Sequence, residues 1–334
     1  MLRAIDRDRF DVIPVGITRD GAFVLEDDDP DKFALNPERL PEVVDNGTRI
    51  LWPDSVRSRE LRVQDADGIR SLGDIDVVFP ILHGRFGEDG TIQGFLELLD
   101  LPYVGAGLLM SAIGMDKHTT KSVLKAAGVP VVPWVTVTEA ALARESDLWL
   151  RRIRALGLPA FVKPARAGSS VGVSKVSDWS ELDAALATAF AEDGTVLVEQ
   201  AIVGREVECG VLAGRDGAAP RVSVAGEIVI TGRDFYDFEA KYLDAAGIDL
   251  VCPAQLHSGE LAEMQRVAAR AFEALGGEGL ARVDFFFTGN EFFVNEVNTM
   301  PGFTPISMFP KCWIATGMSY RDLISELIDL ARVR

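Results

Sequence analysis

Two oxygen-bearing side chains end a strand-like run near the carboxyl end of the chain. Glu296 and Asn298 follow the apolar residues 292–294 and precede a Pro-Gly turn. Side chains two apart in a strand point to one face, so these two converge on whatever lies above that face. Two interpretations are open, a metal ion held by these oxygens or a plain turn at a strand end.

A second carboxylate belongs to the preceding strand. Asp284 lies in the segment 281–287, which the turn 288–291 joins to the following strand. A loop of three residues, or one bulge, puts Asp284 opposite Glu296, whereas a two-residue loop pairs it with Asn295. The metal hypothesis predicts the first register. Hard oxygen donors of this kind suit Mg²⁺ bound together with substrate phosphates better than Zn²⁺.

The segment 159–176 has the composition of a phosphate-binding hairpin. Lys163 ends its first strand, and the small residues 168–172 form a loop that exposes backbone N–H groups to an anion. It is not a Walker loop, because the Gly-Lys-Ser/Thr ending is missing and a strand follows it. A flexible Gly/Ser hairpin is the alternative.

The stretch 199–206 joins the end of one predicted strand to the start of another. Such a crossing can offer backbone groups to an adenine edge and a carboxylate to ribose hydroxyls. Paired surface charges are the alternative. The residues concerned are Glu199, Gln200, Ile202 and Glu206.

The segment 83–94 follows a predicted strand and opens a helix, a position at which α/β folds bind ligands. His83 is a candidate base or substrate contact, and a structural role is the alternative. His118 and His257 lack such a setting and are interpreted as surface or packing residues.

Strand-like runs alternate with helical patterns in the first third, which predicts an α/β domain. Its strands are expected at 11–18, 75–82 and 101–105, and its helices at about 92–99 and 108–127. Further strands are predicted over 159–165, 171–176, 281–287 and 292–298, and an antiparallel sheet over 195–202, 206–213 and 221–230. A long loop is predicted over 231–250. Three more helices are predicted: one that Asp178 caps, one around 261–275 and one over 320–332.

The bulk composition excludes several classes of protein. The 334 residues exceed what one core supports, so two or three domains are expected. Lys plus Arg is 34 and Asp plus Glu is 51, a formal charge of −17 that argues against nucleic acid as a partner. No apolar leader or membrane-spanning run is evident, and three scattered cysteines indicate a reduced, cytoplasmic protein.

Seven segments in order resemble those of the D-alanine–D-alanine ligases of the ATP-grasp superfamily. They are HGRFGEDGTIQG, GMDKHTTK, FVKPARAGSSVG, VEQAIVGRE, FYDFEAKY, ARVDFFF and NEVNTMPGFT. The resemblance implies an ATP-grasp fold of α/β class with three domains. These are a parallel α/β substrate-binding domain (1–105), a central subdomain (106–201) and a carboxyl-terminal subdomain with the metal site and a lid loop (202–334).

The resemblance also implies a role for each matching residue. Lys117, Lys163 and Ser170 would bind ATP phosphates, Glu199, Gln200 and Ile202 adenine, Glu206 ribose, and Asp284, Glu296 and Asn298 two Mg²⁺ ions, with Mn²⁺ as a substitute. Arg282, Ser169, Tyr242 and Lys241 would be catalytic, and His83, Glu88, Tyr236, Gly302, Ser307 and Met308 would contact the substrates.

The activity implied by the resemblance joins two D-alanine molecules at the expense of ATP for peptidoglycan synthesis. A carboxylate attacks the γ-phosphate, and an amine then displaces phosphate from the acyl phosphate. Small molecules, D-alanine and ATP, are the expected partners of a homodimer. The alternatives are a non-catalytic nucleotide-binding relative and an ATP-grasp ligase for another acid and amine.

The start of the chain departs from the family pattern. Members usually begin with a strand and a Gly-rich Ser-x-Glu-His segment, whose Glu anchors the first D-alanine through the residues matching Ser169 and Tyr242. This chain begins in what resembles the next helix. We expect a misassigned start codon or an incomplete chain, or else a protein that binds ATP and has lost ligation. Reduced stability of the first domain is expected either way.

Overall fold

The computed structural model describes residues 1–32, 42–168, 170–230 and 247–333. The chain divides into two compact units. The first comprises Met1–Pro80, Gly94–Val104 and Ser319–Arg334, and the second comprises Ile81–Gln93 and Gly105–Met318. The three-domain division stays a prediction.

The first unit contains two small antiparallel sheets. Apolar side chains on their inner faces form its core, with Leu61 and Val63 almost fully buried. One sheet pairs β1 (Val15–Ile17) with β2 (Phe23–Leu25), and the other has the order β3 (Arg49–Leu51), β4 (Glu60–Asp65) and β5 (Gly68–Asp74). The helices are α1 (Thr91–Leu98), which belongs to this unit from Gly94 on, and α9 (Tyr320–Arg332). Both helices confirm the sequence prediction.

The strand expected over 75–82 is wrong. A single parallel bridge joins Val78 to Tyr103, made by the hydrogen bonds Val78 N to Pro102 O (2.8 Å) and Val104 N to Val78 O (2.9 Å). Pro80 has no N–H to donate, so the ladder does not continue along the apolar run.

The second unit contains two larger sheets, and the strands of the first all come before residue 201 in the chain. Its strands are all antiparallel and lie in the order β6-β9-β7-β8. The capping box predicted at Asp178 and Glu181 is present and starts a 3₁₀ turn that runs into α6. The elements are β6 (Trp134–Thr138), α4 (Glu139–Arg144), α5 (Ser146–Arg154), β7 (Ala160–Pro164), β8 (Ser174–Val176), α6 (Leu182–Glu192) and β9 (Thr195–Gln200).

The other sheet has the order β13-β12-β10-β14-β15, with β11 also paired to β10. The helix α7 (Ser258–Ala274) packs on its apolar face, with Met264, Val267 and Phe272 buried. The strands are β10 (Arg205–Leu212), β11 (Arg221–Val222), β12 (Gly226–Ile230), β13 (Ile248–Val251), β14 (Leu280–Phe287) and β15 (Phe292–Asn298).

Three sequence predictions are corrected in this region. The segment 195–202 does not join the sheet of 206–213, because periodicity identifies a strand but not its neighbour, and β9 pairs with β6 and β7. The segment 221–230 is interrupted after Val222, where the Ser223 hydroxyl instead accepts from Gly210 N (2.9 Å). The predicted long loop also ends early, at the start of β13.

The helix predicted over 108–127 is two helices, α2 (Leu108–Met115) and α3 (Lys117–Ala126). Asp116 separates them because its carboxylate caps α3, accepting from Thr119 N at 2.8 Å. A further helix, α8, covers Met308–Ala315. Within the described ranges, no helix is both long enough and apolar enough to cross a bilayer.

Candidate active site

The register of β14 and β15 places Asp284 directly opposite Glu296. Phe285 pairs with Val294, so Asn295 is the extra residue of a bulge between the two pairs. Without the bulge the ladder would pair Asp284 with Asn295. The register that the metal hypothesis predicts is therefore confirmed, and it is the bulge rather than a three-residue loop that produces it.

One face of this sheet is polar and the other forms the core. Residues directly opposite one another share a face, so Arg282 lies on the same face as Asn298, its partner on β15, and Asp284 on the same face as Glu296. The alternate residues of β14, including Val283 and Phe285, are buried beneath α7. Alternation along β14 thus brings the charged residues together above the core.

Arg282 is the centre of this polar face. Its Nε and Nη2 atoms each donate to a carboxylate oxygen of Asp284 at 2.7 Å. Asn298 Nδ2 donates to Asp284 Oδ2 at 2.9 Å, so the amide oxygen of Asn298 is the atom left to face a ligand. The sequence analysis named all three residues, and the structure brings them into direct contact.

Glu208 on β10 is a site residue that the sequence analysis missed. It pairs with Asp284 across the ladder, is 3% exposed, and places Oε2 3.2 Å from Arg282 Nε. A signal was available, because Glu208 lies two residues after Glu206, on the same face of the strand, and directly precedes the uncharged residues 209–212. A charge in that position is seldom buried without a partner.

The charges of the cluster depend on one another. Burial alone would lower the pKa of Arg282, yet Asp284 and Glu208 raise it well above its usual range, so the guanidinium stays charged. Burial raises the pKa of Glu88, while the amide of Gly84, 2.5 Å from Glu88 Oε2, lowers it, and the charge of Glu296 adds to the rise. Glu88 is therefore electrostatically part of the cluster.

The donor set fits a divalent cation that also binds a substrate. Asp284, Glu296 and Asn298 supply hard oxygens, the type that Mg²⁺ prefers, and two carboxylates with one amide leave coordination positions for phosphate and water. Among the described residues, no group of three His, Cys, Asp or Glu is arranged to hold a metal unaided. The residues fit a metal whose coordination a nucleotide completes.

A second charged centre lies on the sheet β6-β9-β7-β8. Lys163 Nζ donates to Glu199 Oε2 at 2.8 Å and contacts Asn295 Oδ1 at 3.5 Å. Lys121 Nζ lies 3.1 Å from Glu199 Oε1, an ionic contact whose angles do not make a hydrogen bond. Burial opposes ionisation of Glu199, but the charges of Lys121 and Lys163 lower its pKa to about 2.

Lys117 and the hairpin loop stand next to this centre. Lys117 begins α3, its N–H donates to Ala165 O at 3.0 Å, and its Nζ donates to Ala167 O at 2.6 Å. Ser170 in the same loop has a φ of +61°, a conformation that turns the backbone sharply. The loop is thus attached to the helix that carries Lys117.

The base of that loop is fixed by an ion pair. Arg166 donates through Nε and Nη2 to the two carboxylate oxygens of Asp193 at 2.9 and 2.7 Å. The backbone N–H of Arg166 also donates to Asp193, as does that of Thr195. Neither Arg166 nor Asp193 was a candidate from the sequence.

The predicted adenine segment lies where the sequence places it, after the end of β9. Gln200 is exposed and its N–H donates to Pro133 O at 3.0 Å, while Ile202 is half-buried before β10. Glu206 lies on β10 opposite Phe286, on the same face as Glu208. The carboxylate of Glu199, however, points to lysines rather than outward.

The amino end of α8 reaches the polar face because two glycines allow it. A Cβ at Gly210 would meet the ring of Trp313, and a Cβ at Gly226 would meet Met308 Sδ. Ser307 occupies the N-cap position of α8 without a side-chain capping bond. Its hydroxyl lies 2.8 Å from Thr304 Oγ1 and would lie 3.0 Å from a Cβ at Gly302. Helix amino termini attract anions, as the predicted carboxylate contact requires.

His83 is exposed, and its Nδ1 lies 3.2 Å from Met300 O. It influences the cluster through Glu88, on which its charge acts. The remaining candidates, Ser169, Tyr236, Lys241 and Tyr242, lie outside the described residues.

Solved structures of similar fold match nearly all of this chain. The D-alanine-D-alanine ligase from Coxiella burnetii superimposes with a TM-score of 0.77 at 34% identity, covering 99% of this chain and 87% of that one. The VanG D-Ala:D-Ser ligase from Enterococcus faecalis gives 0.81 at 34% identity, covering 98% and 92%. Fold and site together define a ligase of the ATP-grasp class.

Two family models match this chain, D-ala D-ala ligase N-terminus over residues 1–106 and D-ala D-ala ligase C-terminus over residues 123–329. The chain belongs to the D-alanine–D-alanine ligase family. The D-alanine--D-alanine ligase of Paenarthrobacter aurescens (strain TC1) is 48% identical over 338 residues, covering 100% of this chain and 89% of its own length. That of Kineococcus radiotolerans is 49% identical over 340 residues, covering 99% and 90%.

Proposed function

We propose that this chain joins two D-alanine molecules into a dipeptide for peptidoglycan synthesis, with ATP converted to ADP. The observation that carries the proposal is the Arg282 cluster, in which one guanidinium is held by Asp284 and Glu208 above a sheet core. The family to which the chain belongs supplies the reaction. ATP is its nucleotide, and a divalent metal its cofactor.

The metal would be held by Asp284, Glu296 and Asn298. We infer two Mg²⁺ ions, with Mn²⁺ as a substitute, from the resemblance to the family. The two carboxylates and the amide leave coordination positions that phosphate oxygens would fill. When bound, the metal would stabilise the negative charge on the phosphate oxygens while the γ-phosphoryl group is transferred to the substrate carboxylate.

The reaction develops negative charge at two points, and cationic side chains of this chain are suited to both. Lys163 and Lys117, beside the hairpin loop, would bind the phosphates. Arg282 would stabilise the oxyanion that forms when the amine attacks the acyl phosphate, since it stays charged beside its carboxylates. A donor that is fixed before the reaction needs no reorganisation during it.

The substrates would occupy the side of the cluster formed by Glu88, His83 and the start of α8. Gly302 leaves space beside Ser307, whose hydroxyl and the backbone of Met308 would receive the carboxylate of the second D-alanine. Glu206 would bind ribose, and Glu199, Gln200 and Ile202 adenine. Ser169, Ser170, Tyr236, Lys241 and Tyr242 remain proposed loop contributions to phosphate binding and to exclusion of water from the acyl phosphate.

Three broader expectations stay proposals. The division into 1–105, 106–201 and 202–334 follows the family pattern. A homodimer is proposed because dimers are common in the family. A cytoplasmic location is proposed because the substrates are small soluble molecules and the three cysteines are free in the structure.

The experiment that tests the function is ADP release by the purified 334-residue chain with ATP, Mg²⁺ and D-alanine. We expect release that requires D-alanine and is lost in Asp284→Asn, with D-alanyl-D-alanine as the product. ADP release that D-serine supports better than D-alanine would refute the assignment of the second substrate. ATP binding without any ADP release would refute the ligase and favour the non-catalytic alternative.

A further inference from the structure

Lys121 is a buried lysine that has no role in the proposed mechanism. It lies in α3 one turn after Lys117, on the same helix face, and it is 1% exposed. A lysine is almost never buried to this degree without a specific partner. Because Lys121 lies beside Lys117 and Lys163, the residue that compensates its charge can also affect those two lysines.

That partner is shared with Lys163. The two oxygens of Glu199 are divided between the lysines, with Oε2 2.8 Å from Lys163 Nζ and Oε1 3.1 Å from Lys121 Nζ. Glu199 is 2% exposed, so water does not screen either contact. Two ammonium groups and one carboxylate give the group of three a net charge of +1.

The charge balance would be different without Lys121. Glu199 and Lys163 alone would form a neutral pair. Glu199 would then already neutralise the charge of Lys163 when a phosphate binds beside it. Burial lowers the pKa of Lys121 below its usual value despite the opposing charge of Glu199, and the two lysines bring the pKa of Glu199 down to about 2. An ionised carboxylate between two ammonium groups is the consistent state.

We propose that Lys121 is a positioning residue for nucleotide binding, which balances and orients Glu199 so that Lys163 keeps its positive charge for the phosphates of the nucleotide. This proposal rests on the proposed use of ATP. Lys121 itself touches neither nucleotide nor substrate in this scheme and acts only through Glu199.

A purely structural role gives a different expectation. Loss of a buried lysine that merely fills the core lowers the stability of the protein and changes its affinity for every part of the nucleotide equally. A charge-balancing role acts on the phosphates alone. Adenosine and ATP, which differ only in the triphosphate, therefore separate the two roles.

The test measures binding of ATP with Mg²⁺, and of adenosine, to the full chain by titration calorimetry without D-alanine. In Lys121→Met we expect the Kd for ATP to rise by about tenfold or more, while that for adenosine changes by less than about threefold. The matched control is Lys125→Met, one further turn along α3, where the lysine is exposed and lies over the Trp134 ring instead. Its Kd for ATP should be unchanged.

A double variant tests the route through Glu199. In Lys121→Met/Glu199→Gln the carboxylate no longer neutralises Lys163, so the ATP:adenosine affinity ratio should recover towards that of the unaltered chain. Lys121→Gln also removes the charge and replaces Lys121→Met should that variant not fold.

Three outcomes would overturn the inference. These are an unchanged Kd for ATP in Lys121→Met, an equal loss for ATP and adenosine, and a double variant whose ATP:adenosine ratio stays at the value of Lys121→Met. If the unaltered chain itself does not bind ATP, the proposed function fails together with the inference. Normal ATP binding in Lys121→Met refutes the role of Lys121 alone.

Discussion

Replacement of Arg282 by methionine should be among the most destabilising single changes in the second unit. The side chain is 21% exposed and its partners Asp284 and Glu208 are 14% and 4% exposed. Removal of one partner from a buried ion pair costs about 3–5 kcal/mol, because the other charges remain buried without compensation. We expect Arg282→Met to lower the free energy of unfolding by an amount in this range.

The chain contains a matched control in the same sheet. Arg205 binds Glu227 with the same two-pronged geometry, at 2.7 Å for both contacts, but Arg205 is 35% exposed. Since water screens a more exposed pair, Arg205→Met should cost only about 1 kcal/mol or less. The comparison holds bond geometry constant and changes burial.

The measurement is urea unfolding followed by tryptophan fluorescence, without Mg²⁺ or nucleotide so that no added cation replaces the guanidinium. The double variant Arg282→Met/Asp284→Asn completes a cycle with the single variants. A coupling energy of about 1–3 kcal/mol is expected for residues in one charge network. Equal costs for Arg282→Met and Arg205→Met, or a coupling below about 0.5 kcal/mol, would contradict the reasoning.

Three further predictions concern other parts of the second unit. Burial raises the pKa of Glu88 above its usual 4.5, so the stability that its protonated form contributes is present below pH 4.5 and lost as the pH rises through the folded pKa. Glu88→Gln should therefore raise the melting temperature at pH 7, and its melting temperature should fall less steeply above pH 4.5 than that of the unaltered chain. The same dependence of melting temperature on pH in both proteins would count against this. The hydrogen bond to Cys312 lowers the pKa of Cys252, whereas burial raises that of Cys209. Iodoacetamide followed by peptide mass spectrometry should label Cys252 first in the folded protein, and preferential labelling of Cys209 would be inconsistent with the structure. Gly226→Ala would crowd α8 and should cost about 1–3 kcal/mol in thermal or urea unfolding, whereas Gly194→Ala, which meets open space, should be near neutral; equal effects would argue against the close approach of α8.

The sequence predicts the chemically active side chains of this site better than the elements and partner residues that hold them in place. Asp284, Glu296 and Asn298 could be found because strand alternation and the turn between two strands are local properties. The register was left open between two pairings, and the bulge at Asn295 decides it. Lys163 was a candidate because it ends a strand before a loop of small residues, whereas the predicted roles of Lys117 and Arg282 came from the family resemblance. Local pattern was sufficient wherever the interacting residues lie in one hairpin.

The features that the sequence did not predict depend on partners distant along the chain. Glu208 becomes a site residue only because β10 pairs with β14, and Lys121 only because α3 lies against β9. The exchange of β9 into a different sheet from β10 has the same origin. The strand at 75–82 is lost for a local reason, the missing N–H of Pro80. Periodicity reports which face of an element is apolar, but not which element covers it.

The bulge at Asn295 sets the spacing between two charged centres. It leaves Asn295 and Glu296, neighbours in sequence, both partly exposed above the core, so that one contacts Lys163 and the other opposes Asp284. Successive residues of a strand are about 3.3 Å apart, a distance that the backbone cannot change without breaking the ladder. Asn295, which contacts Lys163, and Glu296, which opposes Asp284, therefore belong to one short segment. A ligand that contacts Lys163 and the carboxylates together must have its charges separated by a matching length.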